Sequence, residues 1–362
     1  MTVPVTGHDG AVPTLPVLDV PVIAAPMAGG PSTPALVAAV GDAGGLGFLA
    51  GGYLTAEALD GQLRDLAARS DRPYGVNLFL PGPPDPDPDA RAAAVAAYAQ
   101  RLAPEAARYG VELGEPRADD DAVDAKIAVL ARHRPAVVSV TFALPSSERY
   151  AALRDTGAAL VATVTTVDEA RAAQAQGFDG LWVQGAEAGA HRGVHHDPGG
   201  DAEQGAVPLV DLLAAVRAAT DLPMIAAGGL VDGADVARVS AAGAVAAGLG
   251  TAFLCCPEAG TSATHRAALR SGIARETVVT RAFTGRPARA LANRFTATFS
   301  ADAPPCYPEL HHLTRPVRAA AAAAGDPEAV HLWAGASFRR ITEEPAGELV
   351  ARLGREHRAT AG

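Results

Sequence analysis

The sequence predicts an α/β fold: a TIM (β/α)8 barrel with a smaller, mainly helical cap lobe that completes the substrate side. Short apolar runs recur along the chain, and each is followed by a stretch with helical spacing, the pattern of βα units around a parallel sheet. Eight such units favour a closed barrel over an open doubly wound sheet. The last two runs end in glycines, as at a barrel mouth that holds a phosphate. The 362 residues fall within the roughly 200 to more than 400 that barrels with insertions span.

The strands read, in order, Val22 to Ala25, Gly47 to Ala50, Gly75 to Leu78, Val137 to Val140, Leu160 to Thr163, Gly180 to Gln184, Met224 to Ala227 and Ala244 to Gly248. Helix signals lie between them. Ser32-Thr33-Pro34 supplies a cap with a proline in the first turn, and Thr166 or Asp168 opens Glu169 to Gln176. The third unit breaks the rhythm, because the stiff run Pro81 to Pro88 leads into Ala-rich helical stretches from Ala90 to Arg132. A long tail follows the eighth strand. The reading is therefore a barrel from 1–80 and 134–255, with the insertion 81–133 and the extension 256–362 contributing to the cap lobe.

Apolar residues make up 49% of the chain and aromatics only 5%, so the core must rest mainly on Ala, Val and Leu. A net charge of −10 repels nucleic acid and anionic membranes, which excludes those partners. The N-terminus lacks the pattern of a secretion signal, and no stretch approaches the ~20 apolar residues of a membrane span, so a cytoplasmic protein is expected. Three cysteines, Cys255, Cys256 and Cys306, fit a reducing compartment and read as small buried hydrophobes. Lys126 is the only lysine. It sits in the acidic amphipathic stretch Asp119 to Arg132 and reads as part of a solvated helix face, which leaves no lysine for Schiff-base or pyridoxal-phosphate chemistry.

The run Gln184-Gly185-Ala186-Glu187-Ala188-Gly189-Ala190-His191-Arg192-Gly193 leaves the sixth strand and places a histidine at its C-terminal mouth, where barrel enzymes keep their chemistry. With an unperturbed pKa near ~6.5, His191 can take a proton at neutral pH or donate to an anion. Gly228 and Gly229 after the seventh strand, and Gly250 and Thr251 after the eighth, offer backbone N–H groups to a phosphate. The alternative is that these glycines only permit tight turns. His195, His196 and Asp197 beside His191 do not read as a metal site, because Gly189, Gly193, Pro198 and Gly199 make the segment a loop and not a helix. His195 and His196 are read as loop residues within reach of substrate. Asn77 and Gln184 are carboxamides at strand ends, suited to a ring with alternating polar edges or else simply satisfied within the fold. Met27 packs on such a ring or fills core.

At these positions the chain resembles the nitronate monooxygenase family, FMN-dependent barrel enzymes, over nearly its whole length. The resemblance runs through Ala25 to Pro34, Gly75-Val76-Asn77-Leu78, the Gln184 to Gly193 run, Ala226 to Gly229, Gly250 to Leu254, Phe283-Thr284-Gly285-Arg286-Pro287-Ala288-Arg289, His311-His312-Leu313-Thr314 and Leu332-Trp333-Ala334-Gly335. It implies FMN contacts from Met27, Asn77, Gln184, Gly189, Gly228, Gly229, Gly248, Leu249, Gly250 and Thr251, with His191 as the catalytic histidine and no metal. It also implies oxidation of alkyl nitronates, with nitroalkanes as further candidates, by dioxygen to a carbonyl compound and nitrite, in a monomer or homodimer. Ala190 departs from the family, which has a glycine there, and the loop after Gly193 is richer in histidine than expected. Two other readings remain from the sequence: a flavin-dependent enoyl reductase using NAD(P)H, and a non-catalytic FMN-binding protein.

Overall fold

The computed structural model describes residues 14–361. Residues 1–13, on which the reading of the N-terminal segment rests in part, and Gly362 lie outside the described residues. The strands are β1 (Val22–Ala24), β2 (Leu46–Ala50), β3 (Tyr74–Phe79), β4 (Val137–Thr141), β5 (Ala159–Val164), β6 (Gly180–Gln184), a two-residue β7 (Ala190–His191), β8 (Met224–Ala227), β9 (Ala246–Leu249), β10 (Thr277–Thr280) and β11 (Ala288–Leu291). All but β7, β10 and β11 form one closed, parallel barrel in the order β1-β2-β3-β4-β5-β6-β8-β9. Closure is direct: Ile23 of β1 pairs with Leu46 of β2 on one side and with Gly248 of β9 on the other. The eighth barrel strand starts two residues later than the sequence suggested, since Val245 before it is 52% exposed.

Alternation along each strand divides its side chains between two cores. Ile23, Phe48, Val161, Trp182 and Ile225 fill the barrel interior, while Val22, Leu49, Val76 and Val183 face the surrounding helices. Phe48 and Trp182 meet edge to face, with ring centroids 5.0 Å apart. Two glycines make room for them: a Cβ on Gly75 would lie 2.3 Å from the Phe48 ring and one on Gly248 would lie 2.7 Å from Trp182.

The helices are α1 (Pro34–Asp42), α2 (Ala56–Arg69), α3 (Pro88–Arg108), α4 (Val123–His133), α5 (Ser147–Arg154), α6 (Val167–Gln176), α7 (Leu209–Arg217), α8 (Gly233–Ala241), α9 (Ala263–Arg270), α10 (Arg294–Phe299), α11 (Glu309–Ala323) and α12 (Ala346–Ala361). Their ends obey local chemistry. The Thr33 hydroxyl accepts the Leu36 N–H at 3.0 Å with Pro34 in the first turn of α1, and Thr166 and Glu169 form a capping box on α6. Helix α4 packs against α2 and α5, and α12 packs against α8 and α1, so both belong to the outer helical ring.

A second apolar core lies above the barrel mouth, built from α3, α10, α11 and the segment 329–338, with Phe283 and Phe295 stacked at 4.5 Å. Polar ties join the insertion to the tail. Arg91 grips Glu309 through Nε and Nη2 at 2.6 and 2.7 Å, and Tyr98 donates to the Ala282 carbonyl at 2.7 Å. The small antiparallel sheet β10-β11-β7 was not foreseen. It pairs His191 with Ala288 and so ties the loop after β6 to the tail.

The sequence placed Lys126 on a solvated face, and the structure corrects this. Its side chain is 0% exposed, with Nζ 2.7 Å from Asp121 Oδ2. The three cysteines are buried and unbonded. No described helix is long and apolar enough to cross a membrane.

Candidate active site

A cavity of about 1160 Å³ opens at the C-terminal ends of the barrel strands, between the barrel mouth and the second core. Its inner wall carries Met27, Asn77, Trp182, Gln184, Gly189, His191, Gly228, Gly229, Gly248, Gly250 and Thr251. Of the residues singled out in the sequence, Leu249 stands apart: its side chain is buried in the core between barrel and helices, away from the cavity.

Strand ends fix the two carboxamides in different ways. Asn77 Nδ2 donates to Ser139 Oγ at 2.8 Å and Thr141 Oγ1 at 2.9 Å, which leaves its oxygen as the free acceptor. Gln184 is fully engaged with the histidine loop. Its Nε2 donates to the His191 carbonyl at 3.0 Å and its Oε1 accepts the Gly193 N–H at 2.6 Å. Gln184 therefore shapes the loop. Arg289 adds to this by donating to the Ala186 carbonyl at 2.9 Å.

The glycine-rich ends form a cradle. Among the described residues, the backbone N–H groups of Gly228, Gly229, Gly250 and Thr251 have no hydrogen-bond acceptor in the protein. Four unpaired donors on adjacent strand ends suit an anion, since unpaired backbone donors are otherwise rare. Gly229 adopts φ +67°, and a Cβ there would lie 2.9 Å from Glu187 Cβ. Gly250 differs: a Cβ there would meet nothing closer than Met27 Sδ at 3.8 Å, so the space in front of it is open. The 3₁₀ turn Thr251–Phe253 follows at once, and Thr251 Oγ1 accepts the Gly335 N–H at 2.9 Å. This arrangement fits the phosphate of a flavin nucleotide.

His191 lies in an aromatic box. Trp333, Phe142 and Tyr307 surround it with ring centroids at 5.5, 5.6 and 5.8 Å, and its Nε2 is 2.9 Å from Thr284 Oγ1. Burial first, then the charges of Arg286 and Arg318, push its pKa down to about 3, so the ring is neutral at physiological pH. Both arginines are themselves buried and lack an ion-pair partner among the described residues. Arg286 sits 4.0 Å from the centre of the Phe142 ring and donates to the Val194 carbonyl. Burial lowers the pKa of each guanidinium to about 10. Tyr53, on a left-handed backbone (φ +67°), stacks on His311 at 3.8 Å.

Sequence reasoning missed Tyr53, Phe142, Thr284, Tyr307, His311, Arg318, His331 and Trp333 as site residues, although Thr284, His311 and Trp333 fall in segments that carried the resemblance. Other expectations are relocated. Arg192, adjacent to His191, folds away onto the Gln204 and Gly205 carbonyls. His195 donates from its ring to the Thr163 carbonyl at 2.9 Å and His196 is exposed, so neither lines the cavity. Ala190 adopts φ +61°, a left-handed region that glycine enters without steric cost. Among the described residues no three His, Cys, Asp or Glu side chains converge as a metal site.

Comparison with known proteins bears on the family and the fold. The family model described as nitronate monooxygenase matches residues 15–356. A nitronate monooxygenase of Paraburkholderia phytofirmans is 40% identical over 97% of this chain and 95% of its own length. One from Pseudomonas aeruginosa is 38% identical over 93% and 96%. Among solved structures, a nitroalkane oxidase from Streptomyces ansochromogenes aligns with a TM-score of 0.90 at 47% identity, covering 95% of this chain and 97% of that one. FabK from Thermotoga maritima aligns with a TM-score of 0.71 at 25% identity, covering 95% and 94%.

Proposed function

The chain belongs to the nitronate monooxygenase family and is an oxidoreductase; from that membership we propose that it oxidises alkyl nitronates with dioxygen, through FMN, to a carbonyl compound and nitrite. The observation that carries the reading is the cradle of four N–H groups without an acceptor among the described residues, beside a cavity whose wall carries the buried guanidinium of Arg318. FMN, when bound, would accept electrons from the nitronate and pass them to dioxygen.

The chain's own residues do the rest. Gly228, Gly229, Gly250 and Thr251 would hold the phosphate, and Met27, the Asn77 oxygen and the backbone at Gly189 and Gly248 would hold the ring system, while Gln184 braces the histidine loop. The barrel supplies these contacts, and the lobe built from α3, α10, α11 and the segment 329–338 covers the substrate, whereas α4 and α12, expected in that lobe, stay in the outer helical ring. Trp333, Phe142 and Tyr307 exclude water around His191. A neutral imidazole with a pKa of about 3 is too weak a base to take the α-proton of a nitroalkane efficiently. The Thr284 hydroxyl engages Nε2 at 2.9 Å and leaves Nδ1 as the ring nitrogen for a nitronate oxygen. The substrate is accordingly the preformed anion.

The likeness to FabK keeps an NAD(P)H-dependent enoyl reductase as the second reading. One anaerobic experiment separates the two. The oxidised holoenzyme is mixed separately with propionate 3-nitronate, ethylnitronate and NADPH while the flavin bands are followed. Bleaching by a nitronate is expected; bleaching by NADPH with no response to either nitronate would replace this reading with the reductase. A colourless protein that takes up no FMN would remove both.

A further inference from the structure

The most unusual group in the cavity after His191 is Arg318, on the inner face of α11. It is only 5% exposed and has no carboxylate partner among the described residues. A buried guanidinium without a counter-charge is costly and needs an explanation. Its neighbours are neutral acceptors. Nε donates to Thr314 Oγ1 at 3.0 Å, Nη2 donates to the His311 carbonyl at 2.8 Å and approaches His311 Nδ1 at 3.4 Å, and Nη1 approaches His331 Nδ1 at 3.3 Å.

A guanidinium carries five N–H donors and no acceptor, so both ring nitrogens that face it must accept. An imidazole that accepts at Nδ1 carries its proton on Nε2. Neither Nε2 has a protein partner, and both rings line the cavity. Trp333 links this wall to His191, with its ring centre 5.3 Å from His331 and 5.5 Å from His191. Four of the five Arg318 donors are accounted for, and one on Nη1 remains. The wall therefore offers donors only: two Nε2–H groups, one guanidinium N–H and a full positive charge. Burial together with the Arg318 charge also holds both imidazoles far below their usual pKa, which keeps them neutral.

We infer that Arg318 selects the charge state of the substrate: as a positioning residue it fixes His311 and His331 as neutral Nε2–H donors, making this wall an anion receptor that takes a nitronate and disfavours the neutral nitroalkane. The inference rests on the nitronate reading for its substrate but on Arg318 geometry for its chemistry, and the two fail separately.

The test uses the FMN-loaded wild type with Arg318→Met and Arg318→Lys. Nitrate, a planar oxyanion resembling the nitronate head, is titrated calorimetrically. Loss of one charge-assisted contact weakens binding by about 10- to 100-fold in Arg318→Met, and the lysine variant recovers part of it. The ratio of kcat/KM for ethylnitronate over nitroethane falls by a similar factor, through KM more than kcat. Selective ¹⁵N-histidine NMR of the wild type shows His311 and His331 as Nε2–H tautomers, a readout that needs no variant to fold. Wild-type spectra with Nδ1 protonated, or an Arg318→Met protein with unchanged nitrate affinity and unchanged substrate ratio, would overturn the inference. Lost nitrate binding in Arg318→Met, in an enzyme that oxidises no nitronate at all, would uphold the receptor and remove the proposed substrate.

Discussion

His191 Nε2 lies 2.9 Å from Thr284 Oγ1, a residue 93 positions later in the chain, so the histidine of the sixth barrel unit is aimed by the tail. This contact occupies one ring nitrogen and leaves Nδ1 for the cavity. A donor that contacts a substrate oxyanion contributes about 10²- to 10³-fold. His191→Phe, which suits the aromatic box, is expected to stay folded and yellow while kcat/KM for a preformed nitronate drops by that factor. Near-native turnover would show that His191 does not touch the substrate.

The low pKa of His191 also sets how stability responds to acid. Unfolding exposes a histidine that binds a proton below about 6.5, whereas in the folded chain the ring stays neutral down to about 3. Its contribution is therefore complete above pH 6.5 and is lost as pH falls toward 3, by about 1.4 kcal/mol per pH unit. Denaturant titrations between pH 5 and 8 are expected to show a slope in His191→Phe reduced by about one proton. An unchanged slope would mean that the ring titrates in the native state.

Gly250→Ala isolates the cradle from the fold. Gly250 has a negative φ of −104°, and a methyl group there meets nothing closer than 3.8 Å, so the apoprotein is expected to keep its stability or gain up to about 1 kcal/mol. The same methyl stands in the open space before the unpaired N–H groups. FMN affinity, read by fluorescence as the flavin is released, is expected to fall by at least about tenfold, the loss of one hydrogen bond. Unaltered affinity would move the phosphate elsewhere.

What the sequence disclosed and what it hid follow from how far each signal reaches. The barrel strands were legible because a short apolar run followed by a helical repeat forms a local pattern, and the place of Gly228, Gly229 and Gly250 at the cavity was legible because each directly follows such a strand. Arg318 and His311 were not. They sit on one face of α11, where their spacing matches any amphipathic helix, and only the docking of α11 over the mouth turns that face toward His191. Lys126 was misread for the same reason: its helix repeats acidic and apolar residues as a solvated helix does, while its partner Asp121 lies in the preceding loop.

Ala190 holds φ +61°, a conformation that costs an L-residue roughly 1–2 kcal/mol. Part of that relief is offset by the extra freedom glycine has when unfolded. Ala190→Gly is thus expected to raise stability by about 0.5–1 kcal/mol with little change in turnover. Destabilisation would show that the Ala190 methyl makes compensating contacts in the loop.

Lys126 and Asp121 test a buried pair that reaches the site. Lys126 Nζ is 2.7 Å from Asp121 Oδ2, while Asp121 Oδ1 accepts the Tyr53 N–H at 2.9 Å and so holds the left-handed turn that stacks Tyr53 on His311. Burial raises the carboxyl's pKa and lowers the ammonium's, so each group depends on the other to stay charged. Lys126→Met removes the cation and leaves the carboxylate, which is expected to cost about 3 kcal/mol. Lys126→Met combined with Asp121→Asn removes both charges but keeps an oxygen for the Tyr53 N–H, and most of that loss is expected to return. Thermal and denaturant unfolding of the single and double variants measures the difference. A double variant no more stable than Lys126→Met would show that the lysine's packing, and not its charge, holds this corner of the site.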